Sequence, residues 1–88
     1  MPGQSTIVQA SGVLSERVGQ DTALLDPASG EFTRLNATGS LLWEMLDSPT
    51  TTDALEQELV RVYSLAPAKA REDIERFVAS LRDRNLLG

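Results

Sequence analysis

The fold of this chain is decided by residues 30–43, GEFTRLNATGSLLW, where a strand pattern changes to a helix pattern. Residues 31–35 form a short run without proline or glycine, and they follow a turn signal at Pro27 and Gly30. This pattern predicts a strand. Asn36 can then cap a helix, because its side chain accepts hydrogen bonds from backbone N–H groups of the next turn. The apolar stripe of that helix is Leu41, Leu42, Met45 and Leu46.

The residues on either side complete a β-then-α order. Residues 13–18 and 22–26 predict two more short strands, and residues 52–63 and 67–84 have the apolar spacing of two more helices. Pro67 suits the first turn of the last helix. The sequence therefore predicts an α+β domain over residues 13–88, winged helix-turn-helix-like, with a three-stranded antiparallel β-sheet followed by three α-helices.

The first residues, 1–12, are rich in glycine, serine and glutamine. We predict a flexible N-terminal tail there, because chain ends are often untethered. The alternative is that Ile7 and Val8 lie against the domain as an extra strand.

The composition excludes several functional classes. The chain has 88 residues, no cysteine, no histidine, 13 acidic and 8 basic side chains. These counts exclude disulfides, thiolate nucleophiles, zinc–thiolate sites and catalytic triads with histidine. A net charge of −5 argues against nucleic acid as a partner. There is no apolar run of membrane-spanning length and no secretory signal, so we expect no membrane partner and a cytoplasmic location.

Nothing in the sequence points to a catalytic, cofactor or metal site. Glu72 and Asp73 are consecutive in a predicted helix, so they cannot share a substrate. No glycine-rich phosphate loop is present. We expect a protein that is not an enzyme and binds neither cofactor nor metal. The strand at residues 31–35 offers a different activity, because an exposed edge can take up an extended peptide by main-chain hydrogen bonding.

A set of positions from the second strand to the last residues resembles a known family. The positions are Leu24, Leu25, Asp26, Gly30, Leu35, Asn36, Thr38, Gly39, Leu42, Trp43, Phe77, Leu81, Asn85, Leu86 and Leu87. The pattern resembles the PqqD-like family, which contains the recognition elements of ribosomally made and modified peptides. The resemblance implies a winged-helix-like fold in which a precursor's leader peptide adds as a strand beside the third strand and against the third helix.

Within that family the chain resembles the discrete leader-binding protein of lasso-peptide pathways, because its first strand, VLSERV, lacks the acidic, aromatic character of the pyrroloquinoline quinone chaperone. This implies a leader peptidase, and a cyclase, as further partners. Two alternatives stay open: the quinone-pathway peptide chaperone and a winged-helix DNA-binding module. The last helix carries five basic and four acidic residues over 67–84, which disfavours DNA.

The resemblance also implies the site. Its strand positions are Glu31, Phe32, Thr33, Arg34 and Leu35. A helical wheel divides the last helix into two flanks. The flank we favour contains Lys69, Asp73, Arg76, Ser80 and Arg84, with Phe77 between it and the core. The opposite flank contains Arg71, Glu75 and Arg82. Phe77 would give the favoured flank an apolar floor, and Asp73 a charge for a basic leader residue.

Overall fold

A computed structural model describes residues 6–88. Residues 1–5, which belong to the predicted tail, lie outside the described residues. The strands are β1 (Thr6–Ile7), β2 (Leu14–Val18), β3 (Asp21–Asp26), β4 (Glu31–Leu35) and β5 (Thr50–Thr51). The helices are α1 (Ala37–Met45), α2 (Thr52–Tyr63) and α3 (Pro67–Asp83). The predicted three-stranded sheet followed by three helices is therefore confirmed.

The main sheet is an antiparallel meander in the order β2-β3-β4, so β2 and β4 are its two edges. The β3–β4 turn closes where the Gly30 N–H donates to the Asp26 carbonyl at 2.7 Å. Gly30 has φ +75°, a left-handed conformation that glycine adopts without a steric penalty. The register pairs Leu24 with Thr33 and so places Thr33 on the same face of the sheet as the fully buried Leu24.

Residues 6–12 differ from the predicted flexible tail. Thr6 and Ile7 pair antiparallel with β5, which is the extra-strand arrangement considered from the sequence. Ile7 is only 6% exposed and belongs to the core. The backbone N–H of Gln9 donates to Leu46, and that of Ala10 to Leu86. The burial of one isoleucine and these hydrogen bonds outweigh the turn-forming composition of the segment.

The core lies between the sheet and the three helices, and of the apolar stripe predicted for α1, Leu42 and Leu46 are buried in it whereas Leu41 and Met45 are half-buried. The buried apolar side chains are Ile7, Leu24, Leu42, Trp43, Leu46, Leu55, Leu59, Ala70, Ile74, Val78, Leu81 and Leu86. A buried hydrogen bond from Thr22 Oγ1 to Ser40 Oγ, at 2.7 Å, joins β3 to α1 and satisfies two polar groups inside this core. No helix within residues 6–88 is long and apolar enough to cross a membrane.

Candidate functional site

The free edge of β4 is the first component of the site. One side of β4 is paired with β3, and the other side pairs with no strand among the described residues. On the face toward the helices, Thr33 and Leu35 are half-buried, whereas Glu31 is exposed. An edge of this kind presents backbone N–H and C=O groups that an extended peptide can pair with.

The second component is a cleft of about 440 Å³ where β4 runs into α1, opposite α3. It is lined by Asn36, Thr38, Gly39, Leu42, Leu59, Asp73, Arg76, Phe77 and Ser80. Four of these, from Asp73 to Ser80, belong to the positions predicted for the site on α3. The buried Leu42 and Leu59 and the half-buried Phe77 give it apolar walls. The cleft can therefore accept an apolar side chain beside the strand edge.

The strand-to-helix junction gives the cleft its shape. Asn36 Oδ1 accepts a hydrogen bond from the Gly39 N–H at 2.9 Å, so the predicted N-cap is confirmed. A Cβ on Gly39 would lie 3.2 Å from Leu35 Cβ and 3.5 Å from Phe77 Cε1. Glycine at this position thus lets α1 approach both β4 and the aromatic ring of α3. Gly39 was part of the resemblance but was not predicted as a site residue.

The rim of the cleft on α3 is a chain of ion pairs. Asp73 Oδ1 lies 2.9 Å from Lys69 Nζ and 2.6 Å from Arg76 Nη2. The hydrogen bond from Lys69, together with that from Arg76, lowers the pKa of the Asp73 carboxyl against the opposing effect of desolvation. Asp73 is therefore an anion already bridged by two cations, and it fixes the side chain of Arg76 at the cleft.

At the far end of α3, the side chain of Arg84 reaches across to β4. Its Nη1 donates to Thr33 Oγ1 at 3.1 Å and lies 3.7 Å from Glu31 Oε1. The predicted strand and helix residues therefore meet through Arg84, whereas none of the predicted strand residues 31–35 lines the cleft. Lys69 and Arg84 do not line the cleft itself.

The side chains of Phe32 and Arg34 lie on the other face of β4, away from α3. Phe32 is 62% exposed and is in register with Leu25, which in turn pairs with Leu14. These three residues, which we call the outer apolar row, line a second cleft of about 270 Å³. Arg34 donates to Asp21 at 2.9 Å. Phe32 and Arg34 were predicted as site residues, but their side chains lie on the outer face, so only their backbone groups could pair with a strand beside β4.

The opposite flank of α3 lies away from the cleft. Arg71, Glu75 and Arg82 are exposed, and none of them lines the cleft. Arg71 Nε approaches Glu56 of α2 at 3.7 Å. Another cleft, of about 350 Å³, lies along α2 and the start of α3 near Glu56 and Pro67. The residues that line it come from α2 and the first residue of α3, and none of the positions predicted for the site is among them.

Sequence reasoning missed the residues that α1 and α2 contribute. Asn36, Thr38 and Gly39 come from the junction, and Leu42 and Leu59 from the buried helix faces. The predicted N-cap and the glycine after it were the available signals for the junction. Nothing in the spacing of Leu59 distinguishes it from its neighbours in the core stripe. Within residues 6–88 no group of three or more acidic side chains is arranged to hold a metal ion.

Comparison with known families assigns the chain. The sequence model described as "PqqD: Coenzyme PQQ synthesis protein D (PqqD)" matches residues 21–87, most of the chain. The chain belongs to the PqqD family. No curated protein sequence matches this family member closely enough to count as a relative.

Solved structures share the fold of this PqqD-family chain. "TbiB1 in Complex with the TbiA(beta) Leader Peptide" is 22% identical, with a TM-score of 0.85 over 91% of this chain and 93% of that one. "Lasso peptide synthetase B1 complexed with the leader peptide" is 24% identical, with a TM-score of 0.82 over 93% and 96%. The PqqD part of Methylobacterium extorquens PqqCD, a stand-alone recognition element for ribosomally synthesised and modified peptides, is 21% identical, with a TM-score of 0.76 over 94% and 88%.

Proposed function

We propose that this chain is a leader-peptide-binding protein of lasso-peptide-type biosynthesis. It captures a ribosomally made precursor by adding the leader as a strand beside β4 and against α3. The observation that carries the proposal is the unpaired edge of β4 next to a cleft with apolar walls. Main-chain hydrogen bonds would supply affinity, and side-chain pockets would supply specificity. Two similar structures, those of B1 proteins, are complexes with leader peptides.

The proposed protein is not an enzyme and needs no cofactor. Its sequence contains neither histidine nor cysteine. The carboxylates beside the cleft and the strand edge, Asp73 and Glu31, each face a basic side chain within ion-pair distance. These residues serve recognition, so purified protein should leave a precursor unchanged in mass when no other protein is present.

A binding protein that catalyses no reaction needs partner proteins that modify the bound peptide. We propose that a leader peptidase receives the bound precursor and that a cyclase acts afterwards. The outer apolar row lies on the sheet face opposite α3. It therefore stays accessible while a leader occupies the space between the free edge of β4 and α3, which we call the groove. The proposal places these encounters in the cytoplasm, where the ribosome makes the precursor.

The peptide chaperone of pyrroloquinoline quinone biosynthesis is the second candidate. It is supported by the description of the matching family and by the PqqCD structure. The two candidates differ in the peptide that is bound, not in the groove. A DNA-binding role finds less support, because two exposed basic residues of α3, Lys69 and Arg76, form ion pairs with acidic residues of the same helix.

A binding titration tests the proposal. Calorimetry is performed with the leader segment of the precursor encoded beside this chain's own gene, and the core segment of that precursor is the control. We expect saturable binding of the leader alone. In NMR spectra recorded during the same titration, the amide chemical shifts of β4 should change. Equal binding of both segments, or shifts confined to other strands, would contradict it.

A further inference from the structure

The side chain of Arg84 extends from the end of α3 to Thr33 of β4, the strand beside which we propose that the leader adds. Arg84 is the C-cap of α3, and its hydrogen bond to Thr33 joins residues on opposite sides of the groove. Thr33 faces the helices, in register with the buried Leu24. A residue directly opposite on an added strand has its Cβ about 4.5–5.5 Å away. An inward-facing side chain of a bound peptide next to Thr33 therefore comes within reach of Arg84.

Arg84 has donor capacity left for such a side chain. A guanidinium carries about five N–H donors in a planar fork. The structure gives Arg84 one side-chain hydrogen bond, to the neutral hydroxyl of Thr33, among the described residues. Glu31 lies 3.7 Å away, which is within ion-pair range but beyond hydrogen-bond length. A carboxylate presented by a peptide would form the paired hydrogen bonds that this fork favours.

Arg84 lies apart from the ion pairs that the other cations of this flank form. The flank of α3 that faces the groove has three cations, Lys69, Arg76 and Arg84, and the first two also approach Glu72 of the same helix at 3.8 and 3.6 Å. Asp73 contacts the first two at 2.9 and 2.6 Å. Arg84 lies further along the helix by about 16 Å, beyond the screening length of about 8 Å at physiological salt. Asp73 therefore does not balance its positive charge, and the carboxylate within ion-pair distance of Arg84 among the described residues is that of Glu31, at 3.7 Å.

We propose that Arg84 is a specificity-determining residue, and that the peptide taken by this groove carries an aspartate or glutamate on its inward face beside Thr33. The inference rests on the proposed strand addition and deepens it, since it names the chemistry of one peptide position. Glu31 competes for the same guanidinium in the free protein, so peptide binding exchanges one carboxylate neighbour for another that hydrogen-bonds.

A selection experiment tests this without knowing the natural leader. A yeast-displayed library of random peptides is sorted against wild-type protein and against the variants Arg84→Glu, Arg84→Gln and Arg82→Glu. Arg82→Glu is the matched control, since it makes the same charge change on the opposite flank of α3. Circular dichroism checks that each variant folds, and Arg84→Gln serves if the charge reversal does not fold.

We expect wild type and Arg82→Glu to enrich peptides with an acidic residue at a fixed spacing from an apolar one. Arg84→Glu should enrich lysine or arginine at that position, and Arg84→Gln should show no charge preference. In one selected peptide, changing the acid to its amide should weaken wild-type binding about three- to tenfold. Glu31→Gln should strengthen binding of the acidic form.

The outcomes separate this inference from the proposed function. Enrichment of strand-compatible peptides without an acidic position, or the same acidic position with Arg84→Glu, overturns the role of Arg84 and leaves strand addition standing. A failure of wild-type protein to enrich any peptide overturns both.

Discussion

The two edges of the main sheet, β2 and β4, have the same length and different surroundings. Every residue of β2 is exposed, and its Arg17 is held by Glu44 of α1 at 2.7 Å and by the Gly19 carbonyl. On β4, Thr33 and Leu35 are half-buried, and α3 lies across a cleft from the end of the strand. We therefore propose that β4, and not β2, is the edge that takes up the leader. The helices beside β4 would add side-chain contacts to backbone pairing.

The strongest test of this comparison places proline on each edge. We expect Thr33→Pro or Arg34→Pro to abolish leader binding, with a loss of about a hundredfold or more, because proline removes an N–H that the added strand needs. Only one of these two N–H groups points away from β3, so both variants are titrated calorimetrically. The variant at that residue keeps its fold best, since it loses no hydrogen bond to β3.

The controls for this test are Ser15→Pro and Glu16→Pro on β2. Their binding of the leader should match that of wild type once circular dichroism shows that they fold. If the β2 variants lose binding while both folded β4 variants keep it, the leader adds at the other edge.

The contribution of the helices beside β4 is tested by comparing two phenylalanines, Phe77 of α3 and Phe32 of β4. Phe77→Ala should weaken leader binding and lower the free energy of unfolding, because the ring packs against the core and lines the cleft. Phe77 is half-buried, so the stability loss should fall below the roughly 3–5 kcal/mol typical of a fully buried phenylalanine. Urea unfolding and calorimetry measure the two effects.

Phe32→Ala is the matched control for Phe77. Its ring is exposed on the outer apolar row, so we expect little change in stability and nearly unchanged leader affinity. A large loss of leader affinity with Phe32→Ala would place a leader side chain on the outer face of the sheet.

Local signals in the sequence predict most of this fold. The strand at residues 31–35, the Asn36 cap and Pro67 at the start of α3 depend on neighbours in sequence, and the structure has them at those positions. The pairing of β1 with β5 joins segments more than forty residues apart, and the sequence offered only an extra strand at Ile7 and Val8, without a partner, as an alternative. The wall formed by Leu42 and Leu59 depends likewise on tertiary packing. The periodicity of a helix shows which face is buried, not which part of that face borders a groove.

The choice between the two flanks of α3 remains a prediction and has its own test. Asp73→Ala should weaken leader binding a few-fold, because Asp73 lines the cleft and fixes Lys69 and Arg76 at its rim. Rim charges act mainly on association rate and salt dependence, so titrations are performed at low and high salt. Glu75→Ala is the control on the opposite flank and should bind like wild type. The reverse result would move the groove to the other flank.

The smallest expected effect is the pH dependence of the stability that Asp73 of α3 confers on the fold. The pKa of Asp73 is lowered by its hydrogen bonds to Lys69 and Arg76, so the folded protein binds a proton there less readily than the unfolded chain. The resulting stabilisation is complete above the ordinary aspartate pKa of about 3.9, and it is lost as the pH falls through the lower folded value. Thermal unfolding at neutral pH and at about pH 3 should therefore show a smaller decrease in Tm for Asp73→Asn than for wild type. Glu75→Gln is the control, and the decrease for this variant should equal that of wild type. An unchanged decrease for Asp73→Asn would mean that the ion pairs of Asp73 with Lys69 and Arg76 do not contribute to stability in solution.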